Sequence, residues 1–153
     1  MHVYSPTDDE AALKQFQGDV SSRFSNDANV VMGRIMMKAG GPHPCSQFEV
    51  DFTRTAFADI ASWAMFNRPE EMSILFHALD ENQVEAHSSR AMWLGKALDL
   101  KLEPLKKFDS LVAAKISEGA SRNEVLCKML KAGGGPSRHL LAEMRAQEAQ
   151  SNA

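Results

Sequence analysis

The sequence has few of the features that mark secreted, membrane-spanning or disordered proteins. It contains two cysteines, Cys45 and Cys127, which lie far apart and form no paired spacing. Isolated thiols exclude a disulfide framework and are typical of a reducing compartment. No apolar run approaches the ~18 residues that a membrane-spanning helix requires. The first residues also lack the basic and apolar segments of an export signal, so we expect a cytoplasmic protein that does not bind membranes.

Net charge is also small, although the charges are unevenly distributed. The 153 residues carry a formal net charge of −3, which by itself implies no particular partner. Residues 1–100 carry a net charge of −6 and residues 101–153 a net charge of +3. This asymmetry is typical of a bipolar solvated surface. It is also compatible with a basic face that binds nucleic acid or an acidic protein.

What the sequence does contain is the composition of one folded domain. Hydrophobic residues make up 44% and charged residues 24%, which are ordinary values for a globular protein. We expect a single all-α domain over residues 1–146, in which residues 105–146 form a semi-separate trihelical lobe. Residues 147–153 are polar and predict a disordered tail.

Helical spacing of apolar residues, punctuated by capping motifs, is the main pattern. The segment Thr7–Glu10 has the form of a capping box, and the apolar residues that follow it are spaced by three and four. These residues are Leu13, Phe16, Val20 and Phe24. A second capping box, Ser46–Glu49, predicts a central buried helix over Ser46–Phe66. No pattern of strands competes with this interpretation.

The remaining segments also fit short helices. Turn and capping residues divide them into residues 25–40, 69–79, 80–98, 103–118 and 121–132, followed by a last helix after Pro136. The sequence therefore predicts an all-α bundle of six to eight short helices.

The end of the chain resembles a helix-turn-helix DNA-binding domain. The stretch Gly119-Ala120-Ser121-Arg122-Asn123-Glu124-Val125 is similar to the entry to the second helix of that family. The resemblance implies a recognition helix that starts at Pro136 and contacts bases and phosphates with its first residues. The implied DNA-contacting residues are Lys115, Arg122, Lys128, Lys131, Ser137, Arg138 and His139.

A second resemblance concerns His87. The stretch Ala86-His87-Ser88-Ser89-Arg90-Ala91 is similar to the signature of histidine phosphotransfer domains, with Arg90 and Ala91 where that family has Lys and Gly. The resemblance implies a four-helix bundle whose exposed histidine carries a phosphoryl group. However, Val84, His87 and Ala91 share one apolar stripe of the predicted helix, which favours a partly buried histidine.

Motifs for metal binding or covalent catalysis are not evident. His77 and His87 fall on different predicted helices, and His43 and Cys45 offer at most two ligands in a rigid loop. The proline between His43 and Cys45 also separates their side chains. Cys127 lies inside a predicted helix, where a thiol is usually inert. We therefore expect no catalytic residue, no metal ion and no cofactor.

Methionine-rich segments favour an interaction with another protein. A deformable apolar groove for a partner helix is predicted, although ordinary core filling explains the same spacing. The groove residues are Met32, Met36, Met37, Met65 and Met72.

The function predicted from these observations is that of a small, cytoplasmic, non-enzymatic regulatory or adaptor protein. It would act by binding another protein, and it could also form a homo-oligomer. One alternative is a DNA-binding transcriptional regulator that uses residues 105–146. A second alternative is a small helical enzyme or phosphotransfer module centred on His87.

Overall fold

The chain folds around one antiparallel sheet. The computed structural model describes residues 1–80, 82–122 and 124–125, which contain five strands and four helices. The strands are β1 (His2–Ser5), β2 (Val30–Met36), β3 (Ser46–Phe52), β4 (Ser73–Phe76) and β5 (Met92–Leu94). The helices are α1 (Glu10–Phe24), α2 (Phe57–Asn67), α3 (Gln83–Ala86) and α4 (Glu103–Ser117). The predicted all-α bundle is therefore wrong, and the fold is mixed α/β.

The strand order places the first strand in the middle of the sheet. The order is β2-β3-β1-β4-β5, and every neighbouring pair is antiparallel. Val3 lies between Phe48 of β3 and Ile74 of β4. Because side chains alternate along a strand, the neighbouring residues His2 and Tyr4 lie on the opposite face. One face thus forms the core, and the other carries polar and ring-bearing side chains.

The core face is covered by α1 and α2. The apolar stripe predicted for α1 is fully buried, and the side chain of Asp9 caps the helix by accepting a hydrogen bond from the backbone N–H of Ala12 at 2.9 Å. Helix α2 contributes Ile60 and Ala64 to the same core. Burial of an apolar stripe on one side is what gives a helix its three-to-four spacing, so α1 agrees with the sequence pattern.

The predicted central helix Ser46–Phe66 is wrong. Its first seven residues form β3, a 3₁₀ turn follows at Arg54–Ala56, and only the last part is helical, as α2. In β3 the residues Phe48, Val50 and Phe52 pack in the core and alternate with polar residues. An alternation of period two is typical of a half-buried strand.

The predicted helices over residues 25–40 and 69–79 are also strands. Strand β2 contains a bulge between Met32 and Ile35, where a side chain at Gly33 would place its Cβ only 2.9 Å from the carbonyl oxygen of Glu49. The bulge brings Met32 and Ile35 to the same face despite their helix-like spacing of three. Strand β4 is buried on both faces and therefore shows no alternation.

The last described elements combine one correct and one wrong prediction. The predicted helix over 103–118 agrees with α4, and Gly119 follows it with a φ of +91°, a conformation that favours glycine. The predicted helix over 80–98 shrinks to α3, followed by β5. Residues 126–153, which include the later part of the predicted lobe 105–146 and the whole predicted tail, lie outside the described residues, so the domain boundaries remain predictions. Among the described helices, none has the length and apolarity needed to cross a membrane.

Candidate metal centre

Three histidines from distant parts of the sequence meet on the polar face of the sheet. His2 comes from β1, His77 directly follows β4, and His87 directly follows α3. One ring nitrogen of each lies within 4.8 Å of those of the other two. His2 and His87 are only 5% and 6% exposed, and His77 is half-buried. Such a cluster has the composition and spacing of a metal centre.

The hydrogen bonds of the three rings direct the same atom toward the common point. The Nδ1 atoms lie 3.0 Å from Oε1 of Gln47 for His2, 2.9 Å from the carbonyl of Ala78 for His77 and 2.9 Å from the carbonyl of Gln83 for His87. These partners are acceptors, so each Nδ1 carries the proton. Each Nε2 is then left with a free lone pair, which is the form that binds a metal ion.

The arrangement fits a bound cation. The Nε2 atoms of His2 and His77 lie 3.0 Å apart, and in these tautomers neither has a proton to offer the other. Two lone pairs held face to face in a buried site repel each other. Two nitrogen ligands at ~2.1 Å from one ion and at right angles to each other are also about 3 Å apart. The residues present therefore fit a divalent transition-metal ion.

Protonation does not supply that cation near neutral pH. Burial is the main cause that lowers the pKa of His2 and His77 well below the usual value, and repulsion between neighbouring histidines lowers both further. Burial also lowers the pKa of His87, although its bond to Gln83 opposes the shift. The three imidazoles are therefore neutral at pH 7, as metal ligation requires.

Helix α4 holds one side of the centre in place. The carboxylate of Asp109 accepts hydrogen bonds from the backbone N–H groups of Gln83 at 2.8 Å and Val84 at 3.0 Å. These N–H groups belong to the first turn of α3, where a carboxylate is favourable. Because the carbonyl of Gln83 orients His87, Asp109 fixes the position of this ligand indirectly.

A fourth histidine stands beside the three ligands. Nδ1 of His43 lies 2.8 Å from the hydroxyl of Tyr4, and its ring centre lies 4.2 Å from that of His2. Burial lowers the pKa of His43 to about 4 and raises the pKa of Tyr4. Both groups are therefore neutral at pH 7. When Nδ1–H of His43 donates to the hydroxyl oxygen of Tyr4, Nε2 keeps its lone pair and is the ring atom available to accept a proton.

A cavity of about 590 Å³ lies at the end of the sheet where β1 begins. It lies between the ends of β3 and β4, and its lining includes Asp51, Phe57, His77 and Arg90. The lining contains His77 but not His2 or His87, so the cavity adjoins the histidine cluster without enclosing it.

Cys45 is expected to react slowly with alkylating reagents. Burial, with a smaller contribution from Asp8, raises the pKa of this half-buried thiol to about 11. A raised pKa reduces the thiolate fraction at neutral pH. In a Cys127→Ser variant, we expect the rate of reaction with iodoacetamide to keep rising up to about pH 11. The guanidinium-unfolded variant should level off near the ordinary thiol pKa of ~8.5. A plateau at that pH in the folded protein would contradict the prediction.

Most of the residues predicted to contact DNA lie outside the described residues. Lys115 lies in α4, is exposed and forms an ion pair with Glu118 at 3.3 Å, and Arg122 is also exposed. The others lie outside the described residues: Lys128, Lys131, Ser137, Arg138 and His139. The proposed DNA-binding face therefore remains a sequence prediction.

The predicted methionine groove does not form one surface. Met32 and Met36 lie in β2 rather than on a helix, and Met37 directly follows that strand. Met72 is buried in the core, whereas Met65 is 66% exposed. The five residues therefore do not line a common exposed groove.

His87 has a different environment from the one that the phosphotransfer resemblance implies. It is buried, it belongs to a mixed α/β fold, and its ring centre lies 4.0 Å from that of His77. The prediction that His77 and His87 lie on different helices is wrong for His77, which directly follows the strand β4, and the two rings meet because β4 and α3 end at the same site. His2, Tyr4 and Gln47 were not identified from the sequence. The alternation of His2, Val3 and Tyr4 was the available signal for β1.

Comparison with known proteins identifies a family that the chain resembles. The model of the Dopa 4,5-dioxygenase family matches residues 1–104. A DOPA 4,5-dioxygenase from Amanita muscaria is 30% identical over 107 residues, which cover 68% of this chain and 46% of that protein. An uncharacterized 21.2 kDa protein from Botryotinia fuckeliana is 35% identical over 82 residues, which cover 48% of this chain and 44% of that protein. The chain thus spans about half the length of these relatives.

A solved structure supports the same assignment. The crystal structure of a candidate dioxygenase from Nostoc punctiforme is 32% identical, with a TM-score of 0.59. The match covers 69% of this chain and 88% of that one. The predicted non-enzymatic adaptor function is contradicted by these matches, and the alternative of a small helical enzyme centred on His87 is closer to them, although the fold is mixed α/β rather than helical. Since the family model covers well over half of the sequence, the chain belongs to the Dopa 4,5-dioxygenase family.

Proposed function

We propose that this protein is a dioxygenase that opens the ring of a catechol, with Fe²⁺ bound by His2, His77 and His87. The observation that supports the proposal most directly is the convergence of three Nε2 lone pairs on one buried point. A set of three protein ligands leaves coordination positions for substrate and oxygen, as in other non-haem iron oxygenases. DOPA is the first substrate to test, because it appears in the name of the Amanita relative.

Bound iron would supply a redox-active centre at which the diol and O₂ exchange electrons. The protein contributes the environment. The one potential metal-binding cluster found among the described residues contains only histidine and no carboxylate. The positive charge of the ion is therefore not offset by its ligands, which favours an anionic diol oxygen over a neutral one. The buried rings also exclude bulk water from the site.

The dyad of His43 and Tyr4 is placed to move a proton. Deprotonation of the diol and protonation of the ring-opened product both require a group near the ion. The imidazole of His43 serves this purpose at Nε2, while the hydroxyl of Tyr4 fixes its tautomer through the 2.8 Å bond to Nδ1. Overall, one carbon–carbon bond of the ring breaks and both atoms of O₂ enter the product, so no external reductant is required.

The decisive experiment measures oxygen incorporation. Protein loaded anaerobically with Fe²⁺ is mixed with DOPA, or with a simple catechol, under ¹⁸O₂. We expect oxygen uptake with a stoichiometry of one O₂ per substrate, and a product that carries both labelled atoms when it is trapped during turnover by borohydride reduction, before an aldehyde oxygen can exchange with water. The Zn²⁺-loaded protein is the control, because zinc is redox-inert. Incorporation of a single labelled atom, or no uptake with any catechol by iron-loaded protein, would refute the proposal.

A further inference from the structure

We infer that Gln47 is a positioning residue that selects the metal-binding tautomer of His2 and thereby sets the metal affinity of the site. The inference rests on the metal centre of the proposed function. It goes beyond that function because it assigns one side chain, outside the set of three ligands, as the determinant of whether His2 can act as a ligand.

The position of Gln47 follows from the sheet register. Gln47 lies in β3 opposite Tyr4 of β1, and its side chain is on the polar face with that of His2. It is 8% exposed, and its Oε1 lies 3.0 Å from Nδ1 of His2. A buried amide oxygen at this distance accepts the Nδ1 proton and leaves Nε2 unprotonated, facing His77.

His2 differs from the other two ligands in the kind of group that orients it. The partners of His77 and His87 are backbone carbonyls, those of Ala78 and Gln83, which no substitution removes. Among the three ligands, only His2 depends on a side chain. The tautomer of His2 is therefore the one that a single mutation can change.

The consequence of losing Gln47 has a definite direction. A free histidine in water prefers the tautomer with the proton on Nε2, which is the tautomer that cannot bind a metal through that atom. Without an acceptor at Nδ1, His2 would shift toward this form. Its Nε2 proton could then be donated to His77 across the 3.0 Å gap, which stabilises the metal-free state. Removal of the group that accepts a hydrogen bond from a histidine ligand typically weakens metal binding 10- to 100-fold.

The first test examines the tautomer directly in the metal-free protein. The chain has five histidines, so long-range ¹⁵N–¹H spectra of the imidazole rings can be assigned by single substitutions. We expect the Nδ1-protonated tautomer for His2 in the wild type and in Gln47→Glu, and the Nε2-protonated tautomer in Gln47→Leu. An unchanged His2 tautomer in Gln47→Leu would overturn the inference, whatever the activity of the protein.

The second test measures affinity for Zn²⁺ by competition with a chelator. Gln47→Leu should bind about 10- to 100-fold more weakly than the wild type, whereas Gln47→Glu, which keeps an acceptor, should bind at least as tightly. The matched control is Gln17→Leu, which removes a hydrogen bond of 2.9 Å to the carbonyl of Gly33 between α1 and β2. We expect wild-type affinity for this control.

These outcomes distinguish failure of the inference about Gln47 from failure of the proposed function. Equal weakening in Gln47→Leu and Gln47→Glu would mean that residue 47 acts through packing, and this result would overturn the inference. A wild-type protein that binds no Zn²⁺ but shows the Nδ1-protonated tautomer of His2 would refute the metal centre of the proposed function, and with it the assignment of Gln47 to metal affinity. Tight Zn²⁺ binding without oxygen uptake in the iron form would refute the dioxygenase activity alone.

Discussion

Replacing His77 with alanine is expected to abolish metal binding without destabilising the metal-free protein. Loss of the hydrogen-bond partner of a metal ligand already weakens metal binding 10- to 100-fold. Loss of the ligand itself should therefore weaken metal binding by more than about 100-fold. The same substitution removes one of two Nε2 lone pairs that face each other at 3.0 Å. The melting temperature of the metal-free variant should therefore equal or exceed that of the metal-free wild type.

Thermal unfolding with and without Zn²⁺ checks both parts of this prediction. The wild type should gain stability with metal concentration, because an ion that binds only the folded state shifts the equilibrium. The His77→Ala variant should gain none. His139→Ala is the control for adventitious binding, since His139 lies outside residues 1–104, which match the family. A His77→Ala variant that retains the metal-dependent gain would show that the ion binds elsewhere.

Replacing His43 with alanine should reduce turnover strongly while the metal remains bound. General acid–base groups typically contribute about 10²- to 10⁴-fold to the rate, and we expect a loss of kcat in this range. Tyr4→Phe should have a smaller effect of the same kind, because the phenol positions the imidazole through its bond to Nδ1. Since neither side chain belongs to the three-histidine cluster, iron content should stay at the wild-type level.

Turnover per bound iron is the quantity that tests this assignment. Both variants should retain bound Fe²⁺ and the wild-type tautomer of His2, but show a lower kcat. If turnover fell only in proportion to the iron content, His43 would support the metal ligands structurally and would not take part in proton transfer. Wild-type kcat in His43→Ala would exclude this residue from proton transfer.

The part of the fold that could be predicted from the sequence consists of helices that bury one side. Helices α1 and α4 each bury a stripe and expose the rest, so the period of 3.6 residues remains visible. The strands are harder to predict from the sequence, and each for a specific reason. The bulge in β2 imitates helical spacing, and β4 is too short and too completely buried to show alternation. Strand β3 is a different case, because the alternation from Gln47 to Phe52 is present in the sequence, but the apparent capping box Ser46–Glu49 favours a helix over the same residues.

The site itself depends on contacts that a single sequence does not reveal. Strand β1 inserts between β3 and β4, which pairs His2 with residues more than forty positions away. The apolar stripe predicts a partly buried His87, and the residue is buried, but the sequence pattern assigns it to a helix separate from that of His77. A short connection from β4 to α3 instead brings it beside His77. No spacing rule for metal ligands covers residues 2, 77 and 87, since their proximity arises only from the tertiary fold.

The capping of α3 by Asp109 affects how this protein can be compared with, or recombined with, its relatives. Residues 1–104 match the family, yet the carboxylate that holds the start of α3 comes from beyond that boundary. The three ligands, which lie within the matched residues, and the later part of the chain therefore depend on each other for their positions. A chimera that exchanges the sequence after residue 104 would retain all three ligands. It would lose the Asp109 carboxylate that holds the start of α3 and, through it, His87. Such an exchange would have to carry an acid at position 109 to preserve the geometry of His87.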